Sequence, residues 1–149
     1  MGSLLGRLLP EHKRTKEAHL LEEDESVSTD ILFARMDKSK TLVIPAKITT
    51  RERIVQVFAH QRILDSVHGA GNYVSILVSA SETQRDGKKN RANMICVPGT
   101  IKLFQKHLAA IGGMYYIDPP GRYLAADMTA ILPVNTIGYL LTKELPNIA

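Results

Sequence analysis

The sequence predicts an α+β fold, in which a mainly antiparallel sheet packs against two helices over about 50–68 and 100–111. Short segments rich in β-branched residues are separated by turn residues, which is typical of strands. Two longer segments place apolar residues at helical spacing. The elements do not alternate regularly, which favours antiparallel pairing. We expect one globular domain over 30–149, preceded by a flexible N-terminal arm over 1–29.

The composition is typical of a single soluble domain. The chain has 149 residues, of which 44% are hydrophobic, so it can form a core, although only 5% are aromatic. Its one cysteine, Cys96, cannot form an intramolecular disulfide, which favours a reducing compartment. We expect no transmembrane segment, because no apolar run approaches about 20 residues, and no secretory signal.

The charge is distributed unevenly along the chain. Residues 1–30 carry 4 basic and 7 acidic side chains, a net charge of −3, whereas residues 31–149 carry 15 and 8, a net charge of +7. A basic domain is attracted to a polyanion, which can be a nucleic-acid backbone or an anionic lipid surface. The alternative is that this charge only keeps a small domain in solution.

The first two predicted strands, over 31–36 and 41–48, form a hairpin. Thr49 and Glu52 follow with the spacing of a capping box, in which each side chain satisfies a backbone donor at a helix start. The apolar residues after them recur every three or four positions. This pattern predicts the first helix, over about 50–68.

The second half of the chain continues with two more predicted strands, over 73–80 and 92–97. A helix over 100–111 comes next, because Thr100 is a suitable cap and the apolar residues after it form one stripe. The segment 123–132 is predicted to be a strand. The segment 137–145 is compatible with either a strand or a short helix.

No pattern of catalytic or metal-binding residues is evident. His60 and His68 are eight positions apart, about 12 Å along a helix axis, which is too far for one zinc ion. Cys96 lies in an apolar segment, where a buried and inert thiol is expected. The glycines over 69–71 precede a strand rather than a helix that could bind phosphate. We therefore expect no enzyme activity, cofactor, metal or small-molecule substrate.

Two groups of cations are the candidate binding residues. One lies in the arm beside several leucines, and the other lies in the connection that follows the turn at Asp86. They can contact anionic lipid headgroups or RNA phosphates, and the alternative for the second group is a solvated turn. The predicted lipid- or phosphate-binding residues are Arg7, Lys13, Arg14, Lys16, Arg85, Lys88, Lys89 and Arg91, and Gly2 is a possible acylation site after removal of Met1.

The arm resembles that of rhabdovirus matrix proteins. The resemblance rests on the start Met1-Gly2-Ser3-Leu4, the leucine- and lysine-containing stretch over 8–16, and the acidic run over 22–26. The strand–helix–strand block over 42–80 is similar in order to the start of that family's globular domain. No Pro-Pro-x-Tyr budding motif is present. The resemblance implies a small, basic, non-enzymatic matrix protein of a negative-strand RNA virus.

We accordingly predict a viral matrix-type structural protein of the virion. It is expected to bind anionic membrane peripherally, to self-associate into an oligomer and to link the envelope to the nucleocapsid. Its expected location is the cytoplasmic face of host membranes and the virion interior. The alternative is a small basic RNA-binding or nucleocapsid-associated module, and a third interpretation is an adaptor without a membrane role.

Overall fold

Nine strands and four α-helices occur in the part of the chain that the structure describes. A computed structural model describes residues 12–19, 28–35, 41–50, 53–88 and 91–145. The strands are β1 (His12–His19), β2 (Ser28–Arg35), β3 (Thr41–Ile44), β4 (Ala46–Lys47), β5 (Tyr73–Ser79), β6 (Thr83–Asp86), β7 (Arg91–Met94), β8 (Gly113–Tyr116) and β9 (Val134–Thr136). The helices are α1 (Ile54–His68), α2 (Pro98–His107), α3 (Ala126–Thr129) and α4 (Ile137–Tyr139), with a 3₁₀ turn (Gly121–Tyr123) before α3 and a π-helical turn (Leu140–Glu144) continuing α4.

The main sheet has the strand order β1-β2-β3-β5-β8-β9, and β4 also pairs with β5. Antiparallel pairing joins β1 to β2 and β2 to β3. All other pairs in this sheet are parallel. Strands β3 and β4 share one register on β5, with Val43 opposite Ser75 and Ala46 opposite Val78. They form a single line interrupted at Pro45, which has no N–H to donate.

The parallel pairs follow from the helical connections between them. Helix α1 connects β4 to β5, helix α2 lies between β5 and β8, and helix α3 lies between β8 and β9. A parallel pair requires a crossover of this kind. Strands β3 and β8 are buried at every position, and β5 is buried from Ser75 onward. Because both faces are covered, their sequences are continuous apolar runs rather than alternating ones.

Helices α1 and α2 cover one face of this sheet. Phe58 of α1 and Ile101 of α2 are fully buried and belong to one core cluster with Leu77, Met114 and Tyr116 from the central strands. The helix predicted over about 50–68 is present as α1, but Arg53 is its N-cap and makes no side-chain cap hydrogen bond. The predicted capping box therefore does not begin the helix, and Glu52 lies outside the described residues.

The other face of the sheet packs against the C-terminal helical segment. Phe33, Ile44, Ile76 and Tyr115 point to this side and form a second core cluster with Leu140 of the π-helical turn. The sheet is thus the middle layer of three. The central strands are therefore buried on both faces.

The predicted mainly antiparallel sheet with two helices is wrong. The described residues form a mixed sheet whose central pairs are parallel, and they include four α-helices. The segment 123–132, predicted as a strand, is helical at its start and in α3, and 137–145 takes the helical alternative. The apolar runs over 42–44 and 76–78 do not alternate with polar residues, which indicates parallel strands buried on both faces. The antiparallel prediction did not use this signal.

The predicted first hairpin is confirmed by the antiparallel pairing of β2 and β3. The helix predicted over 100–111 corresponds to α2, which begins at Pro98 and ends at His107. The division into an arm over 1–29 and a domain over 30–149 stays a prediction. Strand β1 falls within that arm and pairs with β2 along its length.

Candidate active site

A pocket opens beside the line formed by β3 and β4, between the sheet and α1. The sheet contributes polar side chains from three neighbouring strands, and α1 contributes one face. The lining residues are Thr29, Asp30, Val43, Pro45, Lys47, Gln56, Val57, His60 and Ser75. Titratable groups of both signs therefore converge on one concave surface, which is the usual setting of a binding or catalytic site.

Asp30 and Lys47 form an ion pair at the mouth of this pocket. The Asp30 Oδ2 atom lies 3.6 Å from Lys47 Nζ, and it also accepts a 2.8 Å hydrogen bond from the backbone N–H of Ala46. The Asp30 side chain is 48% exposed, and that of Lys47 is 23% exposed. Asp30 therefore retains carboxylate lone pairs that face solvent, while the Lys47 ammonium is held against it.

The backbone fixes the position of Lys47. The carbonyl of Pro45 accepts from the N–H of Val78 at 3.1 Å, and the carbonyl of Lys47 accepts from the N–H of Ala80 at 3.2 Å. These bonds continue the parallel ladder on β5 past Pro45. Lys47 therefore lies at the carboxyl end of a parallel strand line, where ligand sites of open α/β sheets are found.

His60 enters the pocket from α1. Gln56 is four positions earlier, so the two side chains lie on the same face of the helix. Burial, and next the positive charge of Lys47, lower the pKa of His60 below its ordinary value. His60 is therefore neutral near pH 7 and can accept a proton.

A buried carboxylate holds the segment that follows Lys47. Glu82 is 1% exposed and accepts hydrogen bonds from the Thr50 backbone N–H, at 3.0 and 3.2 Å to its two oxygens. The Thr50 hydroxyl and the Tyr116 hydroxyl, the latter at 3.0 Å, also donate to Glu82. A buried charge requires such donors. Glu82 thereby anchors the connection between Lys47 and α1.

The tyrosines near Glu82 stay protonated. Burial, followed by the negative charge of Glu82, raises the pKa of Tyr116 far above its usual range. Burial also raises the pKa of Tyr123 to about 12, and the Tyr123 hydroxyl oxygen accepts from the Val97 N–H at 3.0 Å. Burial raises the pKa of the Cys96 thiol, with the charge of Glu82 as the next cause. Tyr116 is therefore a fixed donor to Glu82, and the Cys96 thiol is held in its protonated form.

The pocket offers one carboxylate to a metal ion. Among the residues that the structure describes, no three His, Cys, Asp or Glu side chains come together as a metal site. Mg²⁺ in phosphate-processing sites is bound through one or two carboxylates together with water and substrate phosphate, rather than by a protein cage. The half-exposed Asp30 is the lining group whose chemistry fits that role.

Three of the predicted arm cations lie on strand β1. Gly2 and Arg7 lie outside the described residues, and Lys13, Arg14 and Lys16 lie on β1, the edge strand. Their positions along β1 are opposite Ala34, Phe33 and Ile31 of β2, respectively. Lys16 is therefore opposite the residue that follows Asp30, and the assignment of the arm cations to lipid or phosphate stays a prediction.

The predicted loop cations lie on a separate two-stranded ribbon. Arg85 is on β6, Arg91 begins β7, and Lys88 lies in the turn between them, where its N–H donates to the Asp86 carboxylate at 3.0 Å. Lys89 lies outside the described residues. The ribbon pairs with itself and not with the main sheet.

Sequence reasoning missed Asp30, Lys47 and His60. Asp30 directly precedes the apolar run of β2, and Lys47 directly follows that of β3 and β4. Charged residues at the ends of neighbouring strands were the available signal. His60 was considered only as a zinc ligand with His68, and its proximity to Lys47 depends on how α1 packs on the sheet.

The chain is similar to half of a Type IIP restriction endonuclease. Over 98% of its length it is 48% identical to Kpn2I, with a TM-score of 0.86, and it covers 51% of the Kpn2I chain. The restriction endonuclease PspGI, solved in a complex with substrate DNA, has a TM-score of 0.66 and 14% identity over 98% of this chain and 57% of its own. No protein-family model and no curated protein matches the chain. The chain thus has the fold of these endonucleases and spans about half their length.

These similarities correct the functional prediction. The chain is not a rhabdovirus-like matrix protein, and a non-enzymatic virion component that binds anionic membrane and lipid is wrong, because the matching structures are endonucleases. The RNA-binding or nucleocapsid alternative, self-association as a matrix layer and a location at host membranes find no support in them. None of the described helices is long and apolar enough to cross a membrane. The resemblance in the arm rested on a charge pattern that unrelated chains share.

Proposed function

We propose that this chain carries the phosphodiester-cleaving site of a restriction endonuclease and hydrolyses duplex DNA. The observation that carries the proposal is the 48% identity to Kpn2I over 98% of the chain, with a TM-score of 0.86. The pocket at Asp30, Lys47 and His60 adds independent support, since it places an ammonium, a carboxylate and a neutral imidazole together.

The pocket has the groups that phosphodiester hydrolysis needs. Water attacks the phosphorus atom, a new P–O bond forms, the bond to the leaving 3′ oxygen of deoxyribose breaks, and that oxygen takes a proton from water. Lys47 stabilises the negative charge that grows on the phosphoryl oxygens. His60 accepts the proton of the attacking water, which its lowered pKa permits near pH 7. Asp30 positions the Lys47 ammonium through their ion pair.

Asp30 is the residue of the pocket that would hold a divalent cation. A bound Mg²⁺ supplies charge neutralisation at the scissile phosphate. The Asp30 oxygen that would be available to the ion is the one not used by the Ala46 N–H and Lys47, because both of these contact Oδ2.

Cleavage of supercoiled plasmid DNA by the purified chain in the presence of Mg²⁺ tests this function. We expect nicked or linear product from the unmodified chain and a loss of about 100-fold or more in rate for Lys47→Ala or Asp30→Asn. The matched control is Asp127→Asn, because Asp127 forms a 2.6 Å ion pair with Lys102 on the protein surface away from the pocket.

Three outcomes decide the proposal. Loss of cleavage in the two pocket variants, with the Asp127 variant unchanged, supports it. Equal cleavage by all four proteins moves the chemistry to another site. An unmodified chain that leaves the plasmid intact with both Mg²⁺ and Mn²⁺ overturns the activity. Thermal unfolding of each variant identifies any that loses its fold.

A further inference from the structure

Strand β7 of the ribbon formed by β6 and β7 is exposed on both faces. All four residues of β7 are exposed, and Met94 is 55% exposed. Its register places Asp86 opposite Arg91 and Thr83 opposite Met94, without pairing to the seven-stranded sheet. A two-stranded ribbon without a covering layer is only marginally stable in water. Its exposure therefore suggests that it is kept for contact with another molecule.

The base of the ribbon is rigid. The Ile95 N–H donates to the Glu82 carbonyl at 2.7 Å, which closes the ribbon where it leaves the domain. The Glu82 side chain is buried and holds Thr50 and Tyr116. The same residue thus anchors the ribbon and the segment after Lys47. The ribbon is fixed at one end in a defined relation to the proposed cleavage pocket.

The two faces of β7 carry different chemistry. Side chains alternate along a strand, so Arg91 and Asn93 share one face, and Ala92 and Met94 share the other. Arginine recognises guanine and asparagine recognises adenine through two hydrogen bonds at the major-groove edge, and small apolar side chains contact the thymine methyl group. Lys88 at the turn is exposed and can pair with phosphate.

We propose that the β6–β7 ribbon enters the major groove of duplex DNA and reads base edges with Arg91 and Asn93. This inference rests on the proposed function, since it takes DNA as the substrate, and it assigns the surface that contributes to sequence preference. The major groove of B-form DNA is about 12 Å wide and admits a two-stranded ribbon. Lys88, at the exposed turn, binds a flanking phosphate.

Duplex RNA is the competing ligand for such a cationic ribbon. The major groove of A-form RNA is deep and narrow, so side chains cannot read it. The ribbon therefore binds duplex RNA only through phosphates. A preference for DNA over RNA of matched sequence that depends on Arg91 and Asn93 separates groove reading from simple charge attraction.

The assignment is tested by selecting bound sequences from a library of duplex DNA with randomised positions. The full chain is used, and Ca²⁺ replaces Mg²⁺ to limit cleavage. The unmodified chain should enrich a sequence. Arg91→Ala and Asn93→Ala should each relax the preference at one or two positions by about 5- to 100-fold. Lys88→Gln should weaken binding to all sequences alike and reduce the slope of log affinity against log salt by about 1.

Arg62→Ala is the matched control, because Arg62 is also an exposed arginine but lies on α1. It should leave the enriched sequence unchanged. If Arg91→Ala and Asn93→Ala enrich the same sequence as the unmodified chain with equal strength, the ribbon does not read bases. The same holds if they weaken binding to duplex RNA and duplex DNA equally.

The two proposals fail in different ways. Plasmid cleavage that survives in the unmodified chain, together with an unchanged preference in the ribbon variants, overturns the ribbon assignment and leaves the proposed function standing. A chain that never cleaves but changes its DNA preference with Arg91→Ala overturns the cleavage function and supports the ribbon. Circular dichroism of the variants should match the unmodified chain, since these side chains are exposed.

Discussion

The pocket and the ribbon differ in what holds their side chains. Lys47 lies on a strand line bonded to β5 and backed by a buried core, so its position relative to Asp30 is fixed by the sheet. Arg91 lies on a ribbon that pairs only with itself, on its fully exposed strand β7. Chemistry requires a fixed geometry, whereas a surface that follows a DNA groove benefits from adjustable side chains. The fold thus provides a rigid site and an adaptable one, joined at Glu82.

The largest expected effect tests the rigid half of this comparison. Phe58 is fully buried in the cluster under α1 and stacks at a tilt on Phe104, with 5.6 Å between the ring centroids. Phe58→Ala should lower the free energy of unfolding by about 3–5 kcal/mol, because it removes a large buried side chain and leaves a cavity. Urea denaturation followed by circular dichroism measures this loss.

Met94→Ala is the matching truncation in the ribbon, for comparison with Phe58→Ala in the core. Met94 is 55% exposed, so its truncation should change the free energy of unfolding by less than about 0.5 kcal/mol. Similar losses for Phe58→Ala and Met94→Ala would mean that the ribbon packs against the domain. The distinction between the rigid and the adaptable regions would then fail.

A smaller effect is expected at Glu82, where the two regions meet. Glu82→Gln replaces a carboxylate that accepts from Thr50 and Tyr116 with a neutral amide, one end of which donates. Hydrogen bonds to a charged group are worth about 1.5–3 kcal/mol each, so a loss of about 2 kcal/mol in the free energy of unfolding is expected. Plasmid cleavage should fall with it, since Thr50 follows Lys47 closely.

Tyr116→Phe is the control for this network. It removes a single donor from Glu82 and keeps the ring in the core, so the loss should be about 1.5 kcal/mol, at the lower end of that range. Glu82→Gln with unchanged stability and unchanged cleavage would show that Glu82 does not connect the ribbon base to the pocket.

Local patterns predicted several elements but not their arrangement. The stripe of apolar residues at helical spacing predicted α1, and Gly69, at φ +88°, ends it as a glycine can. The parallel pairing of β5 with β8 depends on what lies between them, which periodicity does not show. The missing alternation over Ile76, Leu77 and Val78 was the signal that both faces are buried.

The candidate site was harder to predict than the fold because its members are far apart in the chain. Asp30 and Lys47 meet because β2 and β3 pair antiparallel, with Ile31 opposite Ile44. That hairpin was predicted, so the proximity of the two charged residues at its end could have been inferred. His60 joins them only through the packing of α1, which no local pattern specifies.

The smallest expected effect is a pH dependence that comes from His60. Its pKa in the folded chain lies below the ordinary value of 6.5, because burial and then Lys47 disfavour the imidazolium. The unfolded chain therefore binds the proton more readily than the folded one. The neutral imidazole contributes stability that is fully present above about pH 6.5 and is lost as the pH falls through the lower, folded pKa.

His60→Gln removes this titration and keeps Asp30 and Lys47, whose contributions cancel when the two proteins are compared. The free energy of unfolding, measured in urea between pH 7.5 and 5.0, should fall more steeply with acidification in the unmodified chain than in His60→Gln. His107→Gln, which changes an exposed histidine of α2 that does not line the pocket, is the matched control. Cleavage should decline over the same acidic range, since a protonated imidazole cannot accept the proton of water. If His60→Gln keeps both the slope and the cleavage profile, His60 titrates as an ordinary surface group, and the pocket contains only the pair Asp30–Lys47.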